Sequence, residues 1–110
     1  MLSHFEIKDP KIALALGAAC PPLAGKTFKI FDGLQNPVQV GTVTIAADLS
    51  YTVTIAGQPN QTGQLTLDPA SGNYRYKETN PAVSGGLFCV AGRWYFLDDK
   101  PGTGAGSIAP

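Results

Sequence analysis

The stretch GTVTIAADLSYTVTI, residues 41–55, most constrains what this chain can fold into. Apolar residues alternate with threonines on both sides of a polar turn, Val43 and Ile45 before it and Val53 and Ile55 after it. Alternation with a period of two predicts two half-buried β-strands joined as a hairpin. A second stretch, GQLTLDPASGNYRYK, repeats the design of glycine, alternating strand, turn and aromatic residue. We interpret both stretches as folding units without chemistry of their own.

The same alternation predicts further strands over KTFKIF, LFCVA and WYFLD, with turns rich in Gly, Pro, Asn and Asp between them. Its phase shifts at Gly41, which predicts a β-bulge. We expect an all-β fold, a small sandwich or barrel of about seven to eight short antiparallel strands with an extended N-terminal arm. The predicted divisions are the arm at 1–22, a β domain at 23–98 and a Gly-rich C-terminal tail at 99–110.

Composition narrows the classes of partner. Apolar residues make up 44% of the 110-residue chain, which is enough for one globular domain. Only 15% of residues are charged, and eight basic residues balance eight acidic ones. Phosphate binding needs clustered Lys and Arg, so we expect no nucleic acid as a partner. No apolar run is long enough to predict a membrane span, whereas a nearly neutral surface favours association with other protein subunits.

The two cysteines, Cys20 and Cys89, allow two interpretations. In a secreted domain they would form a disulfide, and in a reducing compartment they would be small buried apolar side chains. The run IALALGAAC resembles the end of a signal segment, but Glu6 and Asp9 stand where such a segment needs positive charge. We therefore expect the N-terminal segment to be retained, the protein to be made in a cytoplasm, and the thiols to be free.

No residue pattern indicates catalysis. His4 is the single histidine, and it lies in the predicted arm. The segment AGKT lacks the first glycine of a phosphate-binding loop and precedes a strand instead of a helix. Two distant cysteines and one histidine do not have the spacing of metal ligands. We expect no enzyme activity, cofactor or metal.

Aspartates are placed mainly in predicted turns, where they usually cap their own backbone. A calcium site at Asp98 and Asp99, or a pair of catalytic carboxyls, is the alternative. The aspartates in question are Asp32, Asp48, Asp68, Asp98 and Asp99.

The richest aromatic stretch is GRWYFLDD. On a strand, Trp94 and Phe96 face one way while Tyr95 and Leu97 face the other, so one pair belongs to the core. The other pair would form a second buried face or a contact patch. We predict partner contacts at Trp94 and Tyr95, with a sugar-stacking platform as the alternative.

The N-terminal arm carries the other predicted partner contacts. Its apolar residues alternate in two short segments, HFEIK and IALAL, separated by a break at Pro10. An extended arm of this kind can add a strand to a neighbour's sheet. A short helix over 11–19 is the competing prediction, since Ala and Leu favour it. The contact residues predicted here are Leu2, Phe5, Ile7, Ile12 and Leu14.

Between residues 28 and 76 the chain resembles the head-decoration (cement) proteins of lambda-like tailed phages. The likeness rests on an aromatic-Asp-Gly turn at 31–33, on an apolar-Gly strand that ends in Ala-Ala-Asp at 46–48, and on Asn-Tyr-Arg-Tyr at 73–76. It implies a small β-rich fold with an N-terminal arm, trimers on the capsid, and no catalysis. The hairpin also resembles repeat hairpins of bacterial surface adhesins, which usually have Gly where this chain has Leu49.

Two functions follow as hypotheses. The first is a virion structural protein, a capsid decoration subunit that binds the major capsid or another virion protein and forms a homo-oligomer. It would be made in the host cytoplasm and reside in the virion. The alternative is a periplasmic or extracellular small β binding module or inhibitor with a Cys20–Cys89 disulfide.

Overall fold

A computed structural model describes residues 19–79, 82–100, 102 and 104–110. These residues form eight β-strands and no helix, which confirms the all-β prediction. None of them therefore belongs to a helix that could cross a membrane. The strands are β1 (Thr27–Asp32), β2 (Val38–Ile45), β3 (Ser50–Ile55), β4 (Gln61–Leu67), β5 (Tyr74–Thr79), β6 (Ala82–Val90), β7 (Arg93–Asp98) and β8 (Ala105–Ala109).

Every strand pairs with its neighbours along the chain, and the last strand pairs with the first. The strand order β1-β2-β3-β4-β5-β6-β7-β8 closes into an antiparallel barrel. Closure removes the unpaired edges that an open sheet would expose. Of the two predicted architectures, the barrel is therefore the one formed.

The predicted bulge at Gly41 is present in the pairing of β1 with β2. Ile30 pairs with Gly41, whereas the next residue, Phe31, pairs with Gln39. Val40 is the extra residue, and the shift keeps both Val40 and Val43 on the inner face. A Cβ at Gly41 would lie 2.9 Å from Ile55 Cγ1, so a side chain does not fit here.

The predicted tail is not a tail. Residues 105–109 form β8, which pairs with β7 on one side and β1 on the other. Gly106 and Ile108 lie on its inner face. The segment has only one large apolar residue, so its sequence shows little of the alternation that predicts a strand. It is extended because it pairs with the edges that β1 and β7 would otherwise leave free.

One end of the barrel, where β1 begins, is closed, and we call it the closed end. Leu23 and Phe28 are 3% and 2% exposed, and the Trp94 indole donates a hydrogen bond of 2.8 Å to the Pro21 carbonyl. The segment before β1 is thus folded under the barrel as a plug.

A disulfide joins Cys20 to Cys89 at the closed end, with the two Cα atoms 5.9 Å apart. The expectation of free thiols was therefore wrong. The plug brings Cys20 under the inner face of β6, where Cys89 lies close enough for a bond to form. The predicted helix over 11–19 falls almost entirely outside the described residues, and residue 19 is not helical.

Candidate functional site

The interior of the barrel opens at the opposite end from the plug, and we call this the open end. Here the segments 33–37 and 56–60 connect β1 to β2 and β3 to β4, and here β7 ends and β8 begins. The space inside, which we call the lumen, has a volume of about 460 Å³. Cavities of roughly 300–1,000 Å³ are the usual size for small-molecule sites. The lumen is therefore the strongest candidate for a binding site among the described residues.

Apolar side chains form the floor and most of the wall of the lumen. Ile45 and Val43 lie deep and buried, whereas Val53, Ile55 and Val83 face the lumen and are only half-buried. Side chains on the inner face of a filled barrel would be fully buried. Their partial exposure shows that the open end is not packed. The apolar members of the wall are Ile30, Val40, Val43, Ile45, Val53, Ile55, Leu65, Val83, Leu87, Phe96 and Ile108.

Three inward-facing glycines make room for three aromatic rings. Gly63 pairs with Tyr51 on the strand before it, and Gly85 pairs in the same way with Tyr76. A Cβ at either glycine would overlap the tyrosine's phenol. Each ring thus lies flat over the neighbouring strand instead of projecting across the lumen. This packing keeps the centre of the barrel open.

The third ring follows the same arrangement on the last strand. Phe96 pairs with Gly106, and a Cβ there would lie 2.8 Å from Phe96 Cζ. Gly41 occupies the corresponding place on β2, where its neighbours are the aliphatic Ile30 and Ile55. The barrel therefore contains four similar units, each of three adjacent strands centred on an inward-facing glycine.

Beyond each of the three aromatic–glycine pairs stands an acidic residue. Gly63 pairs with Glu78 on its other side, Gly85 pairs with Asp98, and Gly106 pairs with Asp32. The Tyr51 hydroxyl crosses Gly63 and donates to Glu78 Oε1 at 3.2 Å. The Tyr76 hydroxyl crosses Gly85 and donates to Asp98 Oδ1. In the third unit Phe96 has no hydroxyl to donate, so Asp32 receives no equivalent bond.

Burial and charge shift the titration of these groups. Burial raises the pKa of Glu78, and the negative charge of Asp98 raises it further, while the bond from Tyr51 opposes both. Burial also raises the pKa of Tyr51 and of Tyr76, with the neighbouring carboxylates adding to the effect. Both tyrosines therefore stay protonated at neutral pH and act as donors.

The aspartate interpretation is right at two positions. Asp48 accepts a bond from the Ser50 amide at 2.9 Å, and Asp68 accepts one from the Ala70 amide at 3.1 Å, as turn caps do. It is wrong for Asp32 and Asp98, which end strands and face the lumen. The alternative of a calcium site at Asp98 and Asp99 also finds no support. The Asp99 carboxylate pairs with Arg75 on the outer surface, and the described residues contain no group of three potential metal ligands.

The predicted partner contacts have three different outcomes. Trp94 is 6% exposed and lies inside the barrel, where its edge meets the ring of Tyr74 at 5.6 Å. A residue so placed is part of the core and not of the outer surface. Tyr95 lies on the outer face, as the alternation of the strand requires, and its contact stays a prediction. The predicted arm contacts at Leu2, Phe5, Ile7, Ile12 and Leu14 lie outside the described residues.

The lumen itself was missed at the sequence level, although a signal for it exists. The glycines Gly41, Gly63, Gly85 and Gly106 recur at nearly equal intervals, and three of them follow an inward-facing aromatic residue by a short distance along the chain. The first two were recognised as a repeat of hairpins. Extension of the repeat to Gly106 predicts a further strand at the end of the chain, but it gives neither the pairing of that strand with β1 nor the position of Asp32 opposite Gly106.

Comparison of the chain with protein-family models, with curated proteins and with solved structures finds no match. The site is therefore interpreted from its own geometry.

Proposed function

We propose that this protein is a small-molecule binding module that takes its ligand into the open end of the barrel. The observation that carries the proposal is the lumen of about 460 Å³, which apolar side chains line and which opens at the end of the barrel opposite the plug. A ligand that covers Val53, Ile55 and Val83 would remove apolar surface from water at roughly 25 cal/mol per Å². This is the binding-module hypothesis of the sequence, with the ligand assigned to the lumen.

The disulfide supports the same proposal. Disulfides persist in secreted and periplasmic proteins and are rare where thiols are kept reduced. Cys20–Cys89 fixes the plug at the closed end, so in the part of the chain that the structure describes the entrance lies at the open end. We therefore propose an oxidising compartment as the place of action.

The test is binding of a neutral apolar dye, Nile red, followed by fluorescence. Wild-type protein should bind it saturably with one site per chain, and neutral apolar compounds should displace it. Val53→Phe fills the lumen from β3 and should abolish this binding. Its matched control, Thr54→Phe, puts the same ring on the outer face of the same strand and should leave binding unchanged. Saturable binding that survives in Val53→Phe, or none in the wild type, would contradict the proposal.

Assembly into a virion is the second candidate function. The outer face of β6 and β7 supports it, because Phe88, Val90 and Leu97 are 41%, 47% and 53% exposed and lie beside Tyr95. Clustered exposed apolar side chains mark contacts between proteins. On this proposal the surface packs against another copy in a trimer, or against a capsid protein. A disulfide is unusual in a subunit made in a cytoplasm, so we rank this proposal second.

Sedimentation of the wild type against Leu97→Asp tests the assembly proposal. The wild type should sediment as a trimer and the variant as a monomer with unchanged circular dichroism. A wild type that stays monomeric at high concentration would count against the trimer. For the capsid, removal of residues 1–18 should abolish attachment to the particle while the disulfide and the barrel remain.

A further inference from the structure

The charged side chains that line the lumen are all acidic, and its other polar side chains, Gln58, Gln61, Tyr51 and Tyr76, are neutral. Asp32, Glu78 and Asp98 line it near the open end, and no lining residue among those described is Lys, Arg or His. A carboxylate or phosphate on a ligand would meet only like charge there. The electrostatic field of the lumen thus favours a cation and disfavours an anion.

The charged groups of the lumen can only accept hydrogen bonds from a ligand. The hydroxyls of Tyr51 and Tyr76 have their protons committed to Glu78 and Asp98. The carboxylate of Asp32 and the other oxygens of the two paired acids are therefore open acceptors, whereas the Gln58 and Gln61 amides can both donate and accept. A ligand that satisfies the carboxylates must donate hydrogen bonds.

Asp32 differs from the other two acids in lacking a donor. It belongs to the third glycine-centred unit, where Phe96 stands in the place of a tyrosine. No described side chain donates to it, and its place at the end of β1 puts it at the mouth of the lumen. Asp32 is therefore the one of these three acids that accepts no hydrogen bond from a described side chain.

We propose that the ligand has an apolar body, which enters the lumen first, and one protonated amino group, which binds Asp32 at the mouth, in the negative field to which Glu78 and Asp98 contribute. This inference rests on the proposed binding function and names the chemical class of its ligand. An ammonium group supplies three donors and the positive charge that the acids lack. The raised pKa of Glu78 is consistent with this, since burial and Asp98 make its negative charge costly until a cation neutralises it.

A metal ion is a poorer occupant than an organic amine. Divalent calcium takes six to eight oxygen ligands, whereas Asp32, Glu78 and Asp98 stand around the mouth and are not grouped closely enough to hold one metal ion. The apolar wall also gives a hydrated ion nothing to bind. The apolar part of an organic amine would cover Val53 and Phe96, whereas a metal ion would leave these side chains exposed to water.

Displacement of Nile red by decylamine, decanol and decanoate tests the charge class, because the three probes share one apolar body. Decylamine should bind more tightly than decanol, and decanoate should bind least. Failure of all three to bind would contradict the proposed function itself. Equal affinity of all three, or a preference for decanoate, would leave a binding lumen in place and overturn the amine assignment.

Variants then locate the amino group. Asp32→Asn should weaken decylamine about fivefold while leaving decanol unchanged, as expected for one exposed ion pair. Phe96→Tyr should act in the same direction, since its new hydroxyl can cross Gly106 and donate to Asp32 as Tyr51 and Tyr76 do to their acids. The matched control is Asp99→Asn, which removes a carboxylate from the outer surface and should change neither affinity.

The triple variant D32N/E78Q/D98N should bind decylamine and decanol equally, with unchanged circular dichroism. A preference for the amine that survives in it would overturn the assignment. So would displacement of decylamine by calcium, since that would identify a metal ion as the occupant. Loss of decanol binding in Asp32→Asn would show that Asp32 shapes the lumen instead of binding the charge, and would also overturn it.

Discussion

The two ends of the barrel are built from the same eight strands, yet they differ in almost every physical respect. At the closed end a disulfide, a buried leucine and an indole hydrogen bond hold a plug in place. At the open end the strands end in acids, and the apolar wall stays half-buried. Both ends belong to the same barrel wall. The comparison therefore shows that the stabilising contacts are concentrated at the closed end, and that the open end has a cavity in place of a packed core.

The largest expected effect breaks the closed end. Replacement of Cys20 and Cys89 by Ala removes a link between residues 69 apart in sequence. A disulfide that closes a loop of this length is worth about 2–4 kcal/mol. We expect urea unfolding to show a loss of this size, whereas dye binding by the folded protein should persist. Loss of dye binding under native conditions would mean that the plug also shapes the lumen.

The next prediction compares two adjacent glycines on β6. Gly85→Ala puts a methyl group against the Tyr76 phenol and the backbone carbonyl of Leu97, so that the ring must move into the lumen and the two strands must shift. We expect a loss of about 1–3 kcal/mol in the free energy of unfolding, as for overpacking of a core, together with weaker dye binding. Gly86→Ala is the control, because its methyl group meets only the exposed and movable ring of Phe88. Equal effects of the two substitutions would contradict the flat packing of Tyr76.

A pH experiment sharpens the contrast by measuring how much the ionisation of Glu78 at the open end lowers the free energy of unfolding. The pKa of Glu78 is raised by burial and by Asp98, so the folded state holds this proton more tightly than the unfolded state. Stability should therefore fall as pH rises from the ordinary glutamate pKa through the higher folded pKa. Glu78→Gln still accepts the Tyr51 hydroxyl but has no charge.

The variant Glu78→Gln should thus be slightly more stable than the wild type at neutral pH. The difference should vanish below about pH 4, where Glu78 is protonated in both states. Thermal unfolding across pH measures it. Asp98, Tyr51 and Tyr76 are the titratable groups that interact with Glu78, and Asp98→Asn in the same series removes the charge of Asp98. A variant less stable at neutral pH would show that the ionised form is favoured after all.

The smallest expected effect lies at a turn of the closed end. Ala91 and Gly92 form the two-residue loop between β6 and β7, and both have positive φ, 52° and 80°. This is the backbone of a type I′ turn, in which Asn or Gly is favoured at the first place. Ala91→Asn should raise the free energy of unfolding by about 0.5 kcal/mol, read from the urea midpoint. Binding should not change.

Most of the predicted strands were identified from local alternation of apolar and polar residues. This signal is absent where the side chains are small, so β8 was not predicted. The Val and Thr hairpin at 41–55 and the strand at 93–98 were predictable because their faces differ in polarity. Residues 104–107, by contrast, read Gly-Ala-Gly-Ser and show no such difference. Their strand forms because closure of the barrel offers hydrogen bonds on both sides.

The candidate site was predictable only in fragments. Val53 and Ile55 were predicted to share one half-buried face, and Asp32 and Asp98 to lie near turns, but sequence gives no distance between strands. A hydroxyl that crosses a glycine to reach an acid two strands away requires the register of three strands at once. Leu49 shows the same limit, since its φ of 70° lies in the left-handed region that favours glycine, and the letter Leu does not predict this backbone.

The sequence by itself determined the strands, their inner faces and the bulge, because these depend on alternation and on glycine over a few residues. Tertiary structure alone decided the closure by β8, the Cys20–Cys89 bond and the gathering of Asp32, Glu78 and Asp98 at one mouth. Each of these joins residues far apart in the chain. Their proximity is set by the number and register of strands in the closed barrel, which no local pattern encodes.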